Sequence, residues 1–122
     1  MNLIKISSQN LNILEKFIQK KQPTQFRYYQ TRTIETIKNH ILTLVGLIND
    51  EPIAYGHIDK EDNINWIGIC ILDTHQGNGY GKNILSALLE HINTNDISNV
   101  QLAVDIDNYK ALNLYQKNNF KI

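Results

Sequence analysis

The chain has little cysteine and no long apolar run. Its 122 residues include one cysteine, Cys70, which excludes an intramolecular disulfide and a zinc site built from cysteines. No apolar run approaches the roughly twenty residues of a membrane-spanning helix. The first five residues lack the layout of a secretory signal. We therefore expect a cytoplasmic protein without a membrane partner.

An excess of charge of either sign is also missing. Twelve Lys and Arg residues balance twelve Asp and Glu residues. A neutral chain has no long-range electrostatic attraction for nucleic acid. The length suits one domain with one core, and no Gly/Ser/Pro-rich linker divides it. We expect residues 1–122 to form a single domain that acts on a small molecule, with no nucleic acid as partner.

A glycine-rich turn between a strand and a helix is the feature around which the chain is organised. The apolar run 67–72 is short and rich in β-branched residues, which predicts a buried strand. Apolar residues at helical spacing follow from Ile84 to Ile92. Three glycines between them, at 77–81, permit positive φ and a close approach to a ligand. Unpaired N–H groups at the helix start attract an anion, and we expect phosphate.

Two common nucleotide-binding loops do not match this spacing. A Walker loop requires glycine at the position of Gln76, and Ser or Thr at the position of Asn83. A dinucleotide fingerprint that starts at Gly77 requires glycine at the position of Lys82. The sequence therefore favours another phosphate-binding loop.

Two signatures resemble those of the GNAT superfamily of N-acetyltransferases. The pattern of its acetyl-CoA pyrophosphate loop, Gln/Arg-x-x-Gly-x-Gly/Ala, is met by Gln76, Gly79 and Gly81. The second pattern, Asn-x-x-Ala-x-x-x-Tyr followed by a turn residue and Phe, is met by Asn108, Ala111, Tyr115 and Phe120. Asn119 stands where the family usually has glycine. The two signatures occur in the family's order and cover roughly the last half of the chain.

The remaining pattern predicts an α+β fold. Alternation and turn residues predict strands at 3–6, 41–48 and 52–59, and the last two join the strand 67–72 in an antiparallel set. The run 100–104 reads as a strand parallel to 67–72, because a helix connects them. Helices are predicted after Ser7 and Asn108, and a short one near Ile34.

The resemblance implies more about the sheet. It should be GNAT-like, mixed and mostly antiparallel, flanked by helices, with the parallel pair splayed near Ile69–Ile71. Family members usually continue past the final helix with two strands, which appear truncated here. We therefore expect an exposed sheet edge near Phe120 and a homodimer that forms through this C-terminal edge.

The resemblance also implies the cofactor, acetyl-CoA, and its contacts. Those contacts are Ile69, Ile71, Gln76, Gly77, Asn78, Gly79, Tyr80, Gly81, Lys82 and Asn108. Lys82 has the alternative of being a solvated helix residue. Tyr115 matches the residue that protonates the departing thiolate, since a phenol with a pKa near 10 is protonated at neutral pH. The alternative for Tyr115 is a packed tyrosine beneath the sheet.

The general base is less well specified. Many family members use a glutamate on the buried strand, but the segment 63–66 has no carboxylate. His57 suits a base because an imidazole has a pKa near 6.5, and Asp59 shares its strand face and could orient it. His75 would cover the cofactor or face solvent, and a water molecule is a further alternative. An acetyl-enzyme on Cys70 is disfavoured, because no partner base is evident.

The segment from Phe26 to Arg32 mixes aromatic and basic residues. Its aromatic rings could pack on the sheet with the arginines in solvent, which is the commoner use. Alternatively, it forms a wall of the acceptor pocket, in which Arg27, Tyr28, Tyr29 and Arg32 bind an anionic substrate.

The sequence thus predicts an N-acetyltransferase that transfers an acetyl group directly from acetyl-CoA to a primary amine. The four residues of that segment favour a small anionic acceptor such as a nucleotide-linked amino sugar. Amino acids, polyamines, antibiotics and protein N-termini remain open. The alternative function is a non-catalytic acyl-CoA-binding module. A purely structural domain would leave both signatures unexplained.

Overall fold

A five-stranded sheet organises the molecule, for which a computed structural model describes residues 1–105 and 107–121. Its strands, in spatial order, are β1 (Asn2–Lys5), β2 (His40–Ile48), β3 (Glu51–Glu61), β4 (Ile64–Ile71) and β5 (Val100–Leu102). Neighbours pair antiparallel except β4 and β5, which are parallel. The helices are α1 (Leu11–Ile18), α2 (Tyr80–Thr94) and α3 (Tyr109–Lys117). The predicted α+β, mostly antiparallel fold is confirmed.

Local turn chemistry sets the register of the central strands. Asn49 and Asp50 both have positive φ, 50° and 64°, which suits the right-handed twist of a tight hairpin. Asp62, at φ 55°, turns β3 into β4. The pairing then runs without a shift from Glu61 opposite Ile64 to Ala54 opposite Ile71. This long register explains why β4 begins at residue 64, earlier than the predicted 67.

The two faces of the sheet carry two separate apolar clusters. One cluster joins the sheet to α2 and α3 and includes Ile58, Ile67, Leu88 and Tyr115. The other joins it to α1 and to the segment before β2, through Phe17, Tyr29, Tyr55 and Cys70. Because side chains alternate along a strand, β4 contributes Ile67 to the first cluster and Cys70 to the second.

Three further predictions differ from the structure. The strand predicted over 100–104 ends at Leu102, because its pairing with β4 stops there. The short helix near Ile34 is a 3₁₀ helix over Ile34–Asn39. The predicted sheet edge near Phe120 is also misplaced, since the sheet ends at β5 and no strand forms within 118–121. Phe120 instead packs against Tyr115, with ring centroids 5.9 Å apart, and Ile122 lies outside the described residues.

Candidate active site

A groove opens where the two parallel strands separate. β4 and β5 pair only at Asn65 with Val100, Trp66 with Gln101, and Ile67 with Leu102. Beyond these pairs the strands part, and a cavity of about 970 Å³ lies along the exposed edge of β4. Ile69, Ile71 and the glycine turn line it on one side, and residues of α3 line it on the other.

The backbone of β4 presents free polar groups to this groove. The N–H of Asn65 points towards β5 and donates to the carbonyl of Asn99 at 3.0 Å. Since direction alternates along a strand, Ile67, Ile69 and Ile71 point their backbone groups the same way. The carbonyl of Ile71 accepts from Nε2 of Gln76 at 3.1 Å. The N–H and C=O of Ile69 bond to no described residue on that side, so they remain available to a ligand.

The glycine turn is open towards the groove. Gly77 and Gly79 have φ of 82° and 80°, and a Cβ at either position would meet no atom within 4 Å. The first intrahelical bond of α2 runs from Asn83 N–H to the carbonyl of Gly79 at 3.2 Å. The N–H groups of residues 80–82 therefore have no partner in the helix. Such a turn suits a polyanion that approaches the backbone closely.

The side chains of the turn support its shape. Nε2 of Gln76 bonds to Asp73 as well as to Ile71, at 3.2 Å. Nδ2 of Asn78 donates to the carbonyl of His75 at 3.1 Å. Asn78 and Lys82 are not among the residues that line the groove. The side chains of Gln76 and Asn78 therefore stabilise the turn, and Lys82 lies outside the cavity.

Tyr115 enters the groove from α3. Its side chain is 8% exposed, and burial raises the pKa of its hydroxyl to about 12. No hydrogen bond joins this hydroxyl to another residue of the described chain. Asn108 caps α3, because its Oδ1 accepts from the N–H of Ala111 at 3.4 Å. Tyr115 is therefore a protonated phenol that can donate into the groove.

His57 lines the groove from the opposite face of the sheet. It lies opposite Gly68 in the register of β3 and β4. Its Nδ1 bonds to the hydroxyl of Tyr55 at 2.7 Å, which bonds in turn to the hydroxyl of Tyr29 at 2.8 Å. Burial and the nearby His40 and Arg32 lower the pKa of His57 well below 6.5. The ring is therefore uncharged at neutral pH.

A second hydrogen-bond chain lies beside His57. The hydroxyl of Tyr28 donates to Oδ2 of Asp59 at 2.6 Å. The oxygen of Tyr28 must then accept from Nε2–H of His40, at 2.8 Å. Nδ1 of His40 consequently accepts from the hydroxyl of Thr43 at 2.7 Å. Burial lowers the pKa of His40 to about 4, so this imidazole is neutral too.

The two arginines before β2, Arg27 and Arg32, are already partnered. Arg27 makes two hydrogen bonds to Asp105, at 3.0 and 3.1 Å, across the groove. Hydrogen bonding within this pair raises the pKa of Arg27 and lowers that of Asp105. The Arg32 guanidinium lies 4.3 Å from the ring centroid of Tyr28 and donates to its carbonyl at 3.2 Å. Arg27, Tyr28 and Arg32 line the groove, so the segment forms one of its walls.

Comparison with known proteins assigns the family. The model of the acetyltransferase (GNAT) family matches residues 9–120. The chain belongs to the GNAT acetyltransferase family. The prediction of an acetyltransferase is confirmed at this level, and a GNAT enzyme generally uses acetyl-CoA. A sequence search of curated proteins finds no significant match.

Solved structures support the same GNAT fold. A GNAT acetyltransferase from Streptococcus pneumoniae is 20% identical, with a TM-score of 0.75 over 99% of this chain and 84% of that one. The ribosomal-protein-S18-alanine N-acetyltransferase from Escherichia coli is 14% identical, with a TM-score of 0.73 over 98% and 77%. An aminoglycoside 6′-N-acetyltransferase from Acinetobacter haemolyticus is 13% identical, with a TM-score of 0.68 over 100% and 92%. At these identities the likeness shows the fold alone.

Tyr29 and Asp59, which the segment 26–32 and strand alternation placed at the site, have other roles in the structure. Tyr29 is 8% exposed and does not line the groove, because its hydroxyl is held by Tyr55 in the second core cluster. Asp59 does not orient His57, because its carboxylate accepts from Tyr28. His75 lines the groove and bonds through Nδ1 to the hydroxyl of Thr74 at 2.8 Å. Burial raises the pKa of Cys70 to about 12, so this thiol is not a ready nucleophile.

Sequence reasoning missed the partners of these residues. Tyr55 and His57 are two positions apart on one strand, so their side chains lie on the same face of the sheet. This spacing was the available signal. Asp105 had no such signal, since it is 78 positions from Arg27. The same holds for His40, which meets Asp59 only through the Tyr28 hydroxyl.

Proposed function

We propose that this GNAT-family chain is an acetyl-CoA-dependent N-acetyltransferase that acts on a primary amine of a small molecule in the cytoplasm. One observation carries the proposal: the strands β4 and β5 part beside the unpaired N–H groups at the start of α2. Acetyl-CoA is a long, thin thioester that carries a diphosphate. It requires a narrow slot, as between β4 and β5, that ends at an anion-binding site, as at the start of α2.

The residues of the groove fit this cofactor. The N–H groups at 80–82 and the open positions of Gly77 and Gly79 suit the pyrophosphate. The backbone groups of Ile69 suit the amides of the pantetheine arm. When bound, acetyl-CoA supplies an activated acetyl thioester. The protein's task is then to hold an amine near it, remove one proton and return another.

His57 is the base in this proposal. Its Nδ1 is held by Tyr55, so only Nε2 is directed at the groove. A depressed pKa keeps the ring uncharged at neutral pH, which leaves it able to accept a proton from the attacking amine. The low basicity also means that it releases the proton readily to water.

Tyr115 is the acid. Its hydroxyl carries a proton at neutral pH, since burial raises its pKa to about 12. It is free of bonds to the described residues, so its O–H can turn towards a departing sulfur. The base and the acid reach the groove from opposite faces of the sheet. This arrangement separates proton removal from proton return.

The acceptor is proposed to be a small amine, with an amino sugar as the first candidate. Arg27 and Arg32 lie in the groove wall and could contact an anionic group, as in a nucleotide-linked sugar. Asp105 offsets the charge of Arg27, however, so a neutral sugar competes as acceptor. Two similar proteins are named as acetyltransferases of a ribosomal protein and of an aminoglycoside, and these two substrates extend the set to be tested.

Calorimetry and turnover test the proposal together. Titration with acetyl-CoA and with its desulfo analogue is expected to show binding below the millimolar range. Thiol release is then measured with amino sugars with and without phosphate, amino acids, polyamines, aminoglycosides and peptides. Absence of binding would overturn the assignment. Binding without turnover for any amine would favour the alternative, a non-catalytic acyl-CoA-binding module.

A homodimer is proposed through the free edge of β5, since this strand pairs only with β4 within the described sheet. A partner strand could add to that edge through backbone hydrogen bonds. Light scattering at high micromolar concentration is expected to show twice the mass of the 14.1 kDa chain. A clean monomer under these conditions would contradict the dimer and leave the proposed activity untouched.

A further inference from the structure

The imidazole of His57 is held from behind by a buried hydroxyl. Tyr55 has no exposed surface, and Phe17 of α1 stacks on its ring at 5.3 Å between centroids. Its hydroxyl lies 2.7 Å from Nδ1 of His57 and 2.8 Å from the hydroxyl of Tyr29. Packing therefore holds the hydroxyl of Tyr55 in place. Its hydrogen bond in turn keeps Nδ1 of His57 directed into the core, away from the groove.

The other ring nitrogen faces β4 and the groove. A Cβ at Gly68 would collide with Nε2 and Cε1 of His57, so the imidazole edge lies directly over this glycine. No hydrogen bond joins Nε2 to any residue of the described ranges. The absence of a side chain at Gly68 thus makes room for the ring and leaves Nε2 as the only nitrogen that a ligand can reach.

A neutral imidazole carries one proton, and the hydroxyl of Tyr55 can be donor or acceptor to it. If Tyr55 donated to Nδ1, Nε2 would carry the proton and could not accept another. We propose that Tyr55 is a positioning residue for His57: its oxygen accepts from Nδ1–H and leaves Nε2 unprotonated in the groove. This inference rests on the proposed function, in which His57 takes the proton of the amine.

The proton balance is simple. An N–H bond of the attacking amine breaks as the Nε2–H bond of His57 forms, and the electron pair stays on the amine nitrogen. The imidazolium keeps its hydrogen bond from Nδ1–H to the oxygen of Tyr55, and the O–H of Tyr55 stays intact and donates a hydrogen bond to the oxygen of Tyr29. The Nε2 proton then passes to water in the groove. The ring returns to its starting tautomer without turning over.

The surrounding groups are consistent with this assignment. His40 and Tyr28 contact the ring, with centroids at 4.8 and 4.4 Å. Both belong to the series of hydrogen bonds that ends on the carboxylate of Asp59, so His40 and Tyr28 already donate their protons within that series. Arg32 lies beyond Tyr28 and adds positive charge that disfavours a lasting imidazolium. The chain through Tyr55 and Tyr29 has no carboxylate on it, so its hydroxyls are free to orient as His57 requires.

Nitrogen NMR of ¹⁵N-histidine-labelled protein tests the tautomer without any need for activity. In the wild type at pH 7.5, His57 is expected to be the Nδ1–H tautomer. In Tyr55→Phe, the population is expected to move towards Nε2–H, because the acceptor at Nδ1 is gone. A wild-type ring that carries its proton on Nε2 would overturn the inference, and so would a tautomer unchanged in the variant.

Turnover provides the second test, with Phe17→Leu as the matched control. Tyr55→Phe keeps the ring that stacks on Phe17 and removes only the hydroxyl, whereas Phe17→Leu disturbs the stack and leaves the bond from Tyr55 to His57 in place. Tyr55→Phe is expected to lower kcat at least about tenfold with the KM for acetyl-CoA unchanged, and Phe17→Leu is expected to keep kcat within about threefold. An equal loss in both variants would make Tyr55 a packing residue. A wild type that acetylates no amine would instead overturn the proposed function. The NMR experiment would still decide whether Tyr55 sets the tautomer of His57.

Discussion

At the scale of single residues, burial decides the chemistry of the groove. Burial raises the pKa of Tyr115 to about 12 and lowers that of His57 well below 6.5, with a further contribution from charge near His57. Both groups are consequently uncharged at neutral pH, one as a proton donor and one as a proton acceptor. The same desolvation raises the pKa of Cys70 to about 12, which keeps the nearby thiol protonated.

We expect Tyr115→Phe to lower turnover and leave acetyl-CoA affinity nearly unchanged. The substitution removes the proton donor, and a general acid typically contributes about 10² to 10⁴ in rate. Stability should change by less than about 0.5 kcal/mol, because the hydroxyl bonds to no other residue in 1–105 or 107–121. Thiol release and calorimetry measure the two effects. A collapse of acetyl-CoA affinity would make Tyr115 a clamp for the cofactor and not an acid.

At the scale of elements, the groove depends on where pairing stops. β4 continues to Ile71, whereas β5 ends at Leu102, so the last four residues of β4 have no parallel partner. α2 then begins immediately after Gly79, whose left-handed backbone turns the chain into the helix. The slot and the anion site are thus produced by one short strand and one tight turn.

Gly79→Val is expected to weaken acetyl-CoA binding at least about tenfold. A β-branched residue at φ 80° is strained by roughly 1 to 3 kcal/mol, and its side chain would fill the open space beside the N–H groups. Calorimetry measures the affinity, and urea unfolding measures the strain. Asp62→Ala is the control, since it adds strain at another positive φ, 55°, away from the groove. Equal losses of affinity in both variants would contradict a direct role for the turn.

At the scale of the whole molecule, two neutral histidines, His57 buried and His40 partly buried, lie in one polar cluster. His40 and His57 have ring centroids 4.8 Å apart, and the pKa of each is lowered, to about 4 for His40. The unfolded chain therefore binds protons that the folded chain excludes as pH falls below about 6.5. Stability contributed by the neutral forms is fully present above this pH and is lost on acidification towards the folded-state values.

The free energy of unfolding is accordingly expected to fall between pH 7.5 and pH 5. Each excluded proton contributes a slope of about 1.4 kcal/mol per pH unit below 6.5. Urea unfolding at several pH values measures it. His40→Gln should reduce the slope, because the amide keeps hydrogen-bonding capacity without a proton equilibrium. A profile that is flat over this range would show that neither histidine is protected from protonation. Glu51 and Asp105 titrate below this window, since their pKa values are lowered from 4.5 and 3.8.

None of the helices in the described part of the chain is long and apolar enough to cross a bilayer. The cytoplasmic location and the dimer remain predictions that fractionation and light scattering would test.

The sequence by itself determined the features that depend on near neighbours. The glycine turn, the helix after it, the hairpin at Asn49 and the cap at Asn108 all follow from spacing and backbone preference within a few residues. The two family signatures are local patterns of the same kind. These features could therefore be recognised from the sequence, and they predicted the fold, the groove and the family.

Only the tertiary structure decided which side chains far apart in the sequence meet. Arg27 reaches Asp105 over 78 positions, and Tyr28 reaches Asp59 over 31. No pattern along the chain could tell that Tyr29 and not Tyr28 is the buried ring, or that Asp59 pairs with Tyr28. The physical reason is that a hydrogen bond depends on angles and distances between strands, which register and packing set and which no local spacing encodes.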